Sequence, residues 1–115
     1  MESRYREIRF YCRENGKVPF RIWAESLKDI RGRAIIETRI DRVEAGNLGV
    51  FNYLGDGVCE LKINFGPGYR VYFGQEERGV VILLCGGDKS TQQRDIWTAK
   101  EYWADYNRRK IYEKR

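Results

Sequence analysis

The chain has 115 residues, with 22 Lys/Arg against 17 Asp/Glu, no histidine and a formal net charge of +5 at pH 7. That length suits one domain, large enough to bury a core without metal or disulfide support. With 42% hydrophobic and 34% charged residues the composition is that of a soluble globular protein. No apolar run reaches the roughly 20 residues of a membrane span. The N-terminal MESRYREIRF has no apolar signal-peptide core. The expectation is a cytoplasmic protein with no membrane partner.

Cys12, Cys59 and Cys85 are odd in number, widely spaced and set in apolar-patterned segments. They read as reduced core thiols. Without histidine or a C-x-x-C pair, no metal site and no cofactor are expected. Residues 107–115 hold five basic side chains and one acidic, leaving 17 basic against 16 acidic over residues 1–106. The pI of 9.2 is therefore largely a property of the tail. The tail reads either as a frayed, solvated terminus or as an electrostatic arm for RNA or an acidic partner.

Residues 4–12 alternate, with Ile8, Phe10 and Cys12 on one side, and predict a half-buried strand ended by Asn15-Gly16. Over 18–30, Phe20, Trp23, Leu27 and Ile30 recur at helical spacing behind Pro19. Over 31–45, Ile36, Ile40 and Val43 mark a second helix that Gly46 stops. Arg33, Arg39 and Arg42 lie largely off its apolar stripe. The two helices predict a hairpin laid on a sheet. Glycine-punctuated strands follow over 49–54, 58–65, 69–75 and 80–85, with a turn at 76–79 and Gly86-Gly87 ending the last strand. A helix then begins near Ser90 or Thr91, either of which can cap it, with Ile96, Ala99, Tyr102 or Trp103, and Tyr106 on its apolar side. The predicted class is α+β: a strand, two helices, three or four further antiparallel strands and a C-terminal helix, in one domain over 1–106 with a basic tail over 107–115.

The hairpin around Gly66-Pro67-Gly68 is the most informative segment. A three-residue connection pairs Phe65 with Tyr69, Asn64 with Arg70, Ile63 with Val71 and Lys62 with Tyr72. Alternation then puts Cys59, Leu61, Ile63, Phe65, Tyr69, Val71 and Phe73 on an apolar face for the helices. Glu60, Lys62, Asn64, Arg70 and Tyr72 share the opposite face, which reads as a polar platform. Arg and Lys neutralise phosphate and Tyr stacks on bases, so such a face suits RNA; an ordinary solvated sheet face has the same composition. The junction GGDKSTQQRDI over 86–96 opens a helix with a polar cluster. Free backbone N–H groups there suit anions, with Lys89 and Arg94 adding charge, unless Asp88 or Ser90 satisfies those donors.

Without histidine or a carboxylate cluster, nuclease chemistry on this chain would use attack by the RNA's own 2′-hydroxyl on the adjacent phosphorus. That requires in-line placement, cations around the phosphorane-like state, and a proton acceptor and donor. Arg70 would clamp the phosphate. Lys62 or Asp95 could take the 2′ proton, and Lys89 or Tyr72 could stabilise or protonate the leaving 5′-oxygen.

Four segments carry a family resemblance: R-x-E-A-G-N-L-G at 42–49, L-G-D-G-V-x-E-L-K at 54–62, G-P-G-Y-R-V-Y-F at 66–73 and L-L-C-G-G-D-K-S-T-Q-Q-R-D-I-x-x-A-K-x-Y at 83–102. In them the chain resembles the RelE/ParE toxin superfamily over roughly residues 4–106, and within it the HigB-like addiction module killer proteins. The resemblance implies a RelE-type fold and a toxin of a type II toxin–antitoxin system that cleaves mRNA on the ribosome, without a cofactor. It implies a cognate helix-turn-helix antitoxin, and operator DNA bound only through the antitoxin complex. Lys62 matches a strand lysine of that family and Arg70 its phosphate-contacting arginine; Lys89 falls near a later arginine. Glu60 replaces a further lysine, Asp95 or a neighbour replaces a helix tyrosine, and HigB-type histidines are absent. Asn64, Arg94, Arg33, Arg39 and Arg42 are candidate RNA contacts, with Arg33, Arg39, Arg42 and the 108–115 tail alternatively contacts to the antitoxin. ParE relatives share the fold but poison DNA gyrase, so a non-enzymatic inhibitor and an RNA-binding protein without cleavage are the competing readings.

Overall fold

A computed structural model describes residues 5–77 and 79–115. Its elements run β1 (Glu7–Tyr11), α1 (Pro19–Ser26), α2 (Ile30–Glu44), β2 (Phe51–Gly55), β3 (Val58–Ile63), β4 (Tyr69–Glu76), β5 (Val80–Asp88), α3 (Gln92–Arg109) and β6 (Tyr112–Lys114), with one 3-10 turn over Lys89–Thr91. The class is α+β. Six strands form one sheet in the order β2-β3-β4-β5-β1-β6, in which only β1 and β5 pair in parallel. Residue 4, where the first strand is expected to start, and residue 78 in the predicted 76–79 turn lie outside the described residues. Among the described residues no helix is long and apolar enough to cross a membrane.

The helical segment predicted over 18–30 is cut short. Leu27 is extended, and Asp29 begins α2 by accepting from Gly32 N at 2.9 Å. An Asp N-cap satisfies a donor that a continuous helix would leave competing, so the break falls there. Ile30, expected on the apolar stripe, is consequently 80% exposed. Ile36, Ile40 and Val43 are buried as their spacing implies.

Helices cover both faces of the sheet. Phe20, Ile36, Ile40 and Val43 pack with Ile8, Phe10, Cys59, Leu61, Val71, Phe73, Val81 and Leu83 on one side. On the other, Ala99 and Tyr106 of α3 pack with Tyr11, Val58, Tyr72, Ile82, Leu84 and Cys85. All three cysteines are free and buried.

Two strand expectations change. The β3–β4 register is Ile63↔Tyr69, Lys62↔Arg70, Leu61↔Val71 and Glu60↔Tyr72, so the connection is five residues, with Phe65 inside it. Each residue's partner moves by two positions, which preserves the period-two faces. Strand β5 does not stop at Gly86-Gly87 but runs to Asp88. Opposite Tyr72/Phe73 it carries a bulge that places Leu84 and Cys85 together on the α3 side. After the bulge Gly86 faces α1 and Gly87 faces α3. A β-carbon at Gly86 would fall inside the Trp23 indole, and one at Gly87 would meet the Asp95 carboxylate. These glycines admit helices rather than end a strand.

The basic tail is neither frayed nor a free arm. Arg108 and Arg109 lie in α3 and pair with Asp105, and Arg109 also donates to Cys12 O at 2.8 Å. Lys110 pairs with Glu76. Tyr112–Lys114 adds a strand to β1, and Arg115 spans Glu37, Asp41 and Glu44 of α2 at 2.6–3.0 Å.

Replacing Gly86 with Ala should lower stability by about 1–3 kcal/mol, the range for overpacking against a rigid ring. Urea unfolding measures this, and a loss near zero would mean that Trp23 is free to leave its seat. Asp105 accepts from the Arg109 guanidinium and then from Tyr11 Oη at 2.6 Å, which together hold its carboxyl far below the usual carboxylate range. A depressed folded value stabilises the fold above the ordinary carboxylate pKa, and that stability is lost as pH falls through the folded value. Stability of the wild type should therefore decline from about pH 5 toward pH 2. Asp105→Asn should be less stable at neutral pH, with a shallower acid limb in chemical denaturation.

Candidate functional site

The cross-strand pair Lys62↔Arg70 lies at one end of the sheet, where β3 ends and β4 begins. There Arg70 also pairs with Gly87 of β5. Lys62 is exposed; Arg70 is 5% exposed. The Arg70 guanidinium is fixed from within: Nη1 donates to Gly68 O at 2.7 Å, and Nε lies 3.7 Å from Glu60 Oε2 without a hydrogen bond of its own. Glu60 is 1% exposed and accepts from Gln92 Nε2 of α3 at 2.8 Å and from Asn52 Nδ2 at 3.4 Å. The expected open platform is thus roofed by the first turns of α3. The faces are as alternation requires, but only Lys62, Asn64 and the sheet-end rim beside Arg70 reach its edge.

Tyr72 is fully buried, and its hydroxyl has no hydrogen-bond partner. Burial first, then the charges of Glu60 and Asp95, push its phenol well above the usual tyrosine value. This corrects its expected role, because a phenol sealed under α3 reaches no leaving group. Asp95 is also turned inward. Its Oδ2 accepts from Thr91 Oγ1, its Oδ1 lies 3.7 Å from Arg94 Nε, and its carboxylate covers Gly87. Already engaged at the start of α3, it is set aside as the acceptor of a 2′ proton. Burial, helped by the Asp95 charge, raises the neighbouring Cys85 thiol to about 12 and makes it an inert core group.

Lys89 is exposed, and it flanks Gly68 together with Arg70. A β-carbon on Gly68 would lie 3.2 Å from Arg70 Nη1 and 3.5 Å from Lys89 Cβ. The anion-accepting role expected of 86–96 is taken by the chain itself: Asp88 accepts from Ser90 N at 2.8 Å, and Thr91 completes the capping box.

The remaining arginines divide into three places. Arg33 faces a hollow shared with Arg21, Glu25, Glu37 and Arg115. Arg94 lines a groove between α1 and α3 with Trp23, Cys85 and Tyr102. Arg39 and Arg42 meet Lys62 and Asn64 in a groove of about 390 Å³ between α2 and the end of β3. Arg31 joins them there and was missed in the sequence reading, although positions 31, 35, 38 and 42 share one helical stripe. Arg39 donates to Leu48 O at 3.0 Å and Val50 O at 2.8 Å, fixing the loop that follows α2. Its pKa is lowered by burial and then by the Arg42 charge. Among the described residues no group of three His, Cys, Asp or Glu side chains is placed to hold a metal ion.

No protein-family model matches the chain. It is similar to a protein of Haemophilus influenzae strain Rd described as uncharacterized, at 49% identity over 81 residues, which is 70% of this chain and 82% of that protein. The chain belongs to the same family as that protein. An 81-residue match at that identity covers most of both chains, so the two share one fold.

The Glu60–Arg70 pair is the most enclosed ion pair of the site, with side chains 1% and 7% exposed. Glu60→Met should cost about 3–5 kcal/mol, because it leaves a buried guanidinium uncompensated. The double replacement Glu60→Met with Arg70→Met should recover most of that loss. A double-mutant cycle by urea denaturation checks the coupling; additive effects would mean that the two charges do not interact.

Proposed function

We propose that the chain is the toxin of a type II toxin–antitoxin pair and acts on mRNA on the ribosome. The observation that carries this reading is the convergence of Lys62, Arg70 and Lys89 at one end of the sheet, flanked by Asn64. Only Arg70 is matched by a carboxylate: among the described residues neither Lys62 nor Lys89 makes an ion pair. Cations held close without counter-charge favour a polyanion, and fixed charge placed before binding costs no reorganisation when the transition state forms. The resemblance over residues 42–49, 54–62, 66–73 and 83–102 supports the same assignment.

In the cleavage reaction the 2′-oxygen forms a bond to phosphorus and the P–O5′ bond breaks, leaving a 2′,3′-cyclic phosphate and a 5′-hydroxyl end. Arg70 and Lys89 face the negative charge on the phosphoryl oxygens. With Tyr72 sealed and Asp95 engaged by Thr91, Lys62 takes the 2′ proton as its neutral amine, and Lys89, as the ammonium, gives one to the 5′-oxygen. The ribosome orients the substrate in this scheme, and a cognate helix-turn-helix antitoxin neutralises the toxin and brings operator DNA to the complex. The enclosure of Tyr72 and Asp95 favours one second reading, RNA binding without cleavage.

Inducing the protein and mapping mRNA 5′ ends on translated and untranslated messages separates the two. Translation-dependent cuts are expected, reduced at least about a hundredfold in Lys62→Ala and Lys89→Ala. Both residues are exposed, so the fold persists. Growth arrest with intact mRNA in the wild type would overturn cleavage.

A further inference from the structure

The pairing of β2 with β3 reaches only Phe51↔Leu61. Beyond it, residues 62–64 have no β2 residue beside them, and the groove under α2 opens there. Arg31, Arg39 and Arg42 line it from α2, Lys62 from β3 and Asn64 from just beyond that strand; no carboxylate lines it. None of Arg31, Arg39, Arg42 and Lys62 makes an ion pair among the described residues. Arg108, Arg109, Lys110 and Arg115 near the C-terminus are by contrast each paired with a carboxylate. Arg39 is held rigid by two backbone carbonyls while facing the like charge of Arg42. A cluster of cations left unneutralised beside a groove is self-repelling, and an anion relieves it.

The donor chemistry narrows the ligand. The polar lining consists of guanidiniums, an ammonium, an amide and the Thr38 hydroxyl over a floor of Ala34, Ile35 and Ile63. These are the side-chain types that contact phosphate oxygens, and no aromatic ring is present to read bases. Lys62 belongs both to this groove and to the sheet-end site, so a strand crossing that site continues into it.

We infer that the groove between α2 and the end of β3 carries the phosphodiester backbone of single-stranded RNA, independently of its sequence. This rests on the mRNA-directed reading above and extends it: Arg31, Arg39 and Arg42 hold nucleotides flanking the one at Arg70 and Lys89. Arg33, on the far side of the same helix, takes no part.

The test is fluorescence anisotropy with a labelled oligo(U) of about 12 nucleotides, titrated across salt concentrations. Arg31 and Arg42 are exposed on α2, so the double variant Arg31→Ala/Arg42→Ala keeps the fold, which circular dichroism checks. Loss of two phosphate contacts should weaken binding about tenfold and flatten the log–log salt slope by about 1.4. Unchanged affinity and slope in the double variant, with weaker binding in Lys89→Ala, overturns the groove and leaves the sheet-end reading standing. No oligo(U) binding by the wild type overturns the groove, and the cleavage reading then stands or falls on the 5′-end mapping. Displacement of oligo(U) by poly-glutamate of similar length, with the peptide losing affinity in the double variant, would make the groove a dock for an acidic protein and overturn the RNA assignment.

Discussion

Gly86 and Gly87 near the end of β5 are held between two helices, and the arrangement of the site depends on that sandwich. Trp23 of α1 lies against Gly86 from one face, and Asp95 of α3 lies against Gly87 from the other. Neither approach is possible with a β-carbon in place. The bulge opposite Tyr72/Phe73 sets which glycine meets which helix. Because α3 is seated this closely, its first turns extend over the polar face of β3 and β4. Glu60 and Tyr72 are sealed beneath them, and Arg70 is reduced from a solvent-facing cation to a buried one with a carboxylate partner.

Burying a charge is costly unless it is matched, and Glu60 supplies the match. Under the proposed toxin reading, this accounts for an acid at position 60 where RelE toxins carry a further lysine. With α3 roofing the face, a lysine at position 60 would sit buried beside Arg70 with no counter-charge. The acid instead fixes the arginine and donates nothing to the rim. In the proposed reading the anion meets Lys62, Lys89 and the rim of Arg70 at the sheet end, and Arg31, Arg39 and Arg42 along the groove.

Charge is consequently distributed very differently from its density along the chain. The most basic segment, 107–115, is the most thoroughly neutralised, by Asp105, Glu76, Glu37, Asp41 and Glu44. Its work is structural: it closes the sheet edge at β1 and ties that edge to α2. Lys62, Lys89, Arg31, Arg39 and Arg42, which make no ion pair among the described residues, are spread along the sequence and brought to one end of the sheet by the fold.

The sequence by itself determined the α+β order of elements, the buried stripe of α2 and the division of the β3–β4 hairpin into two faces. Each follows from a local period, 3.6 or 2, that is insensitive to register: the hairpin pairs two positions away from the three-residue connection, and the faces are the same. The tertiary structure alone decided which polar residues meet water. Polarity cannot tell a solvated Tyr72 from one sealed under a helix, nor Gly86-Gly87 as a strand end from Gly86-Gly87 as a seat for two helices. It decided too that the basic tail is a strand with ion-pair partners up to 78 residues away. Burial and charge compensation are properties of what packs against a residue, and for these residues the packing partner is distant in the chain.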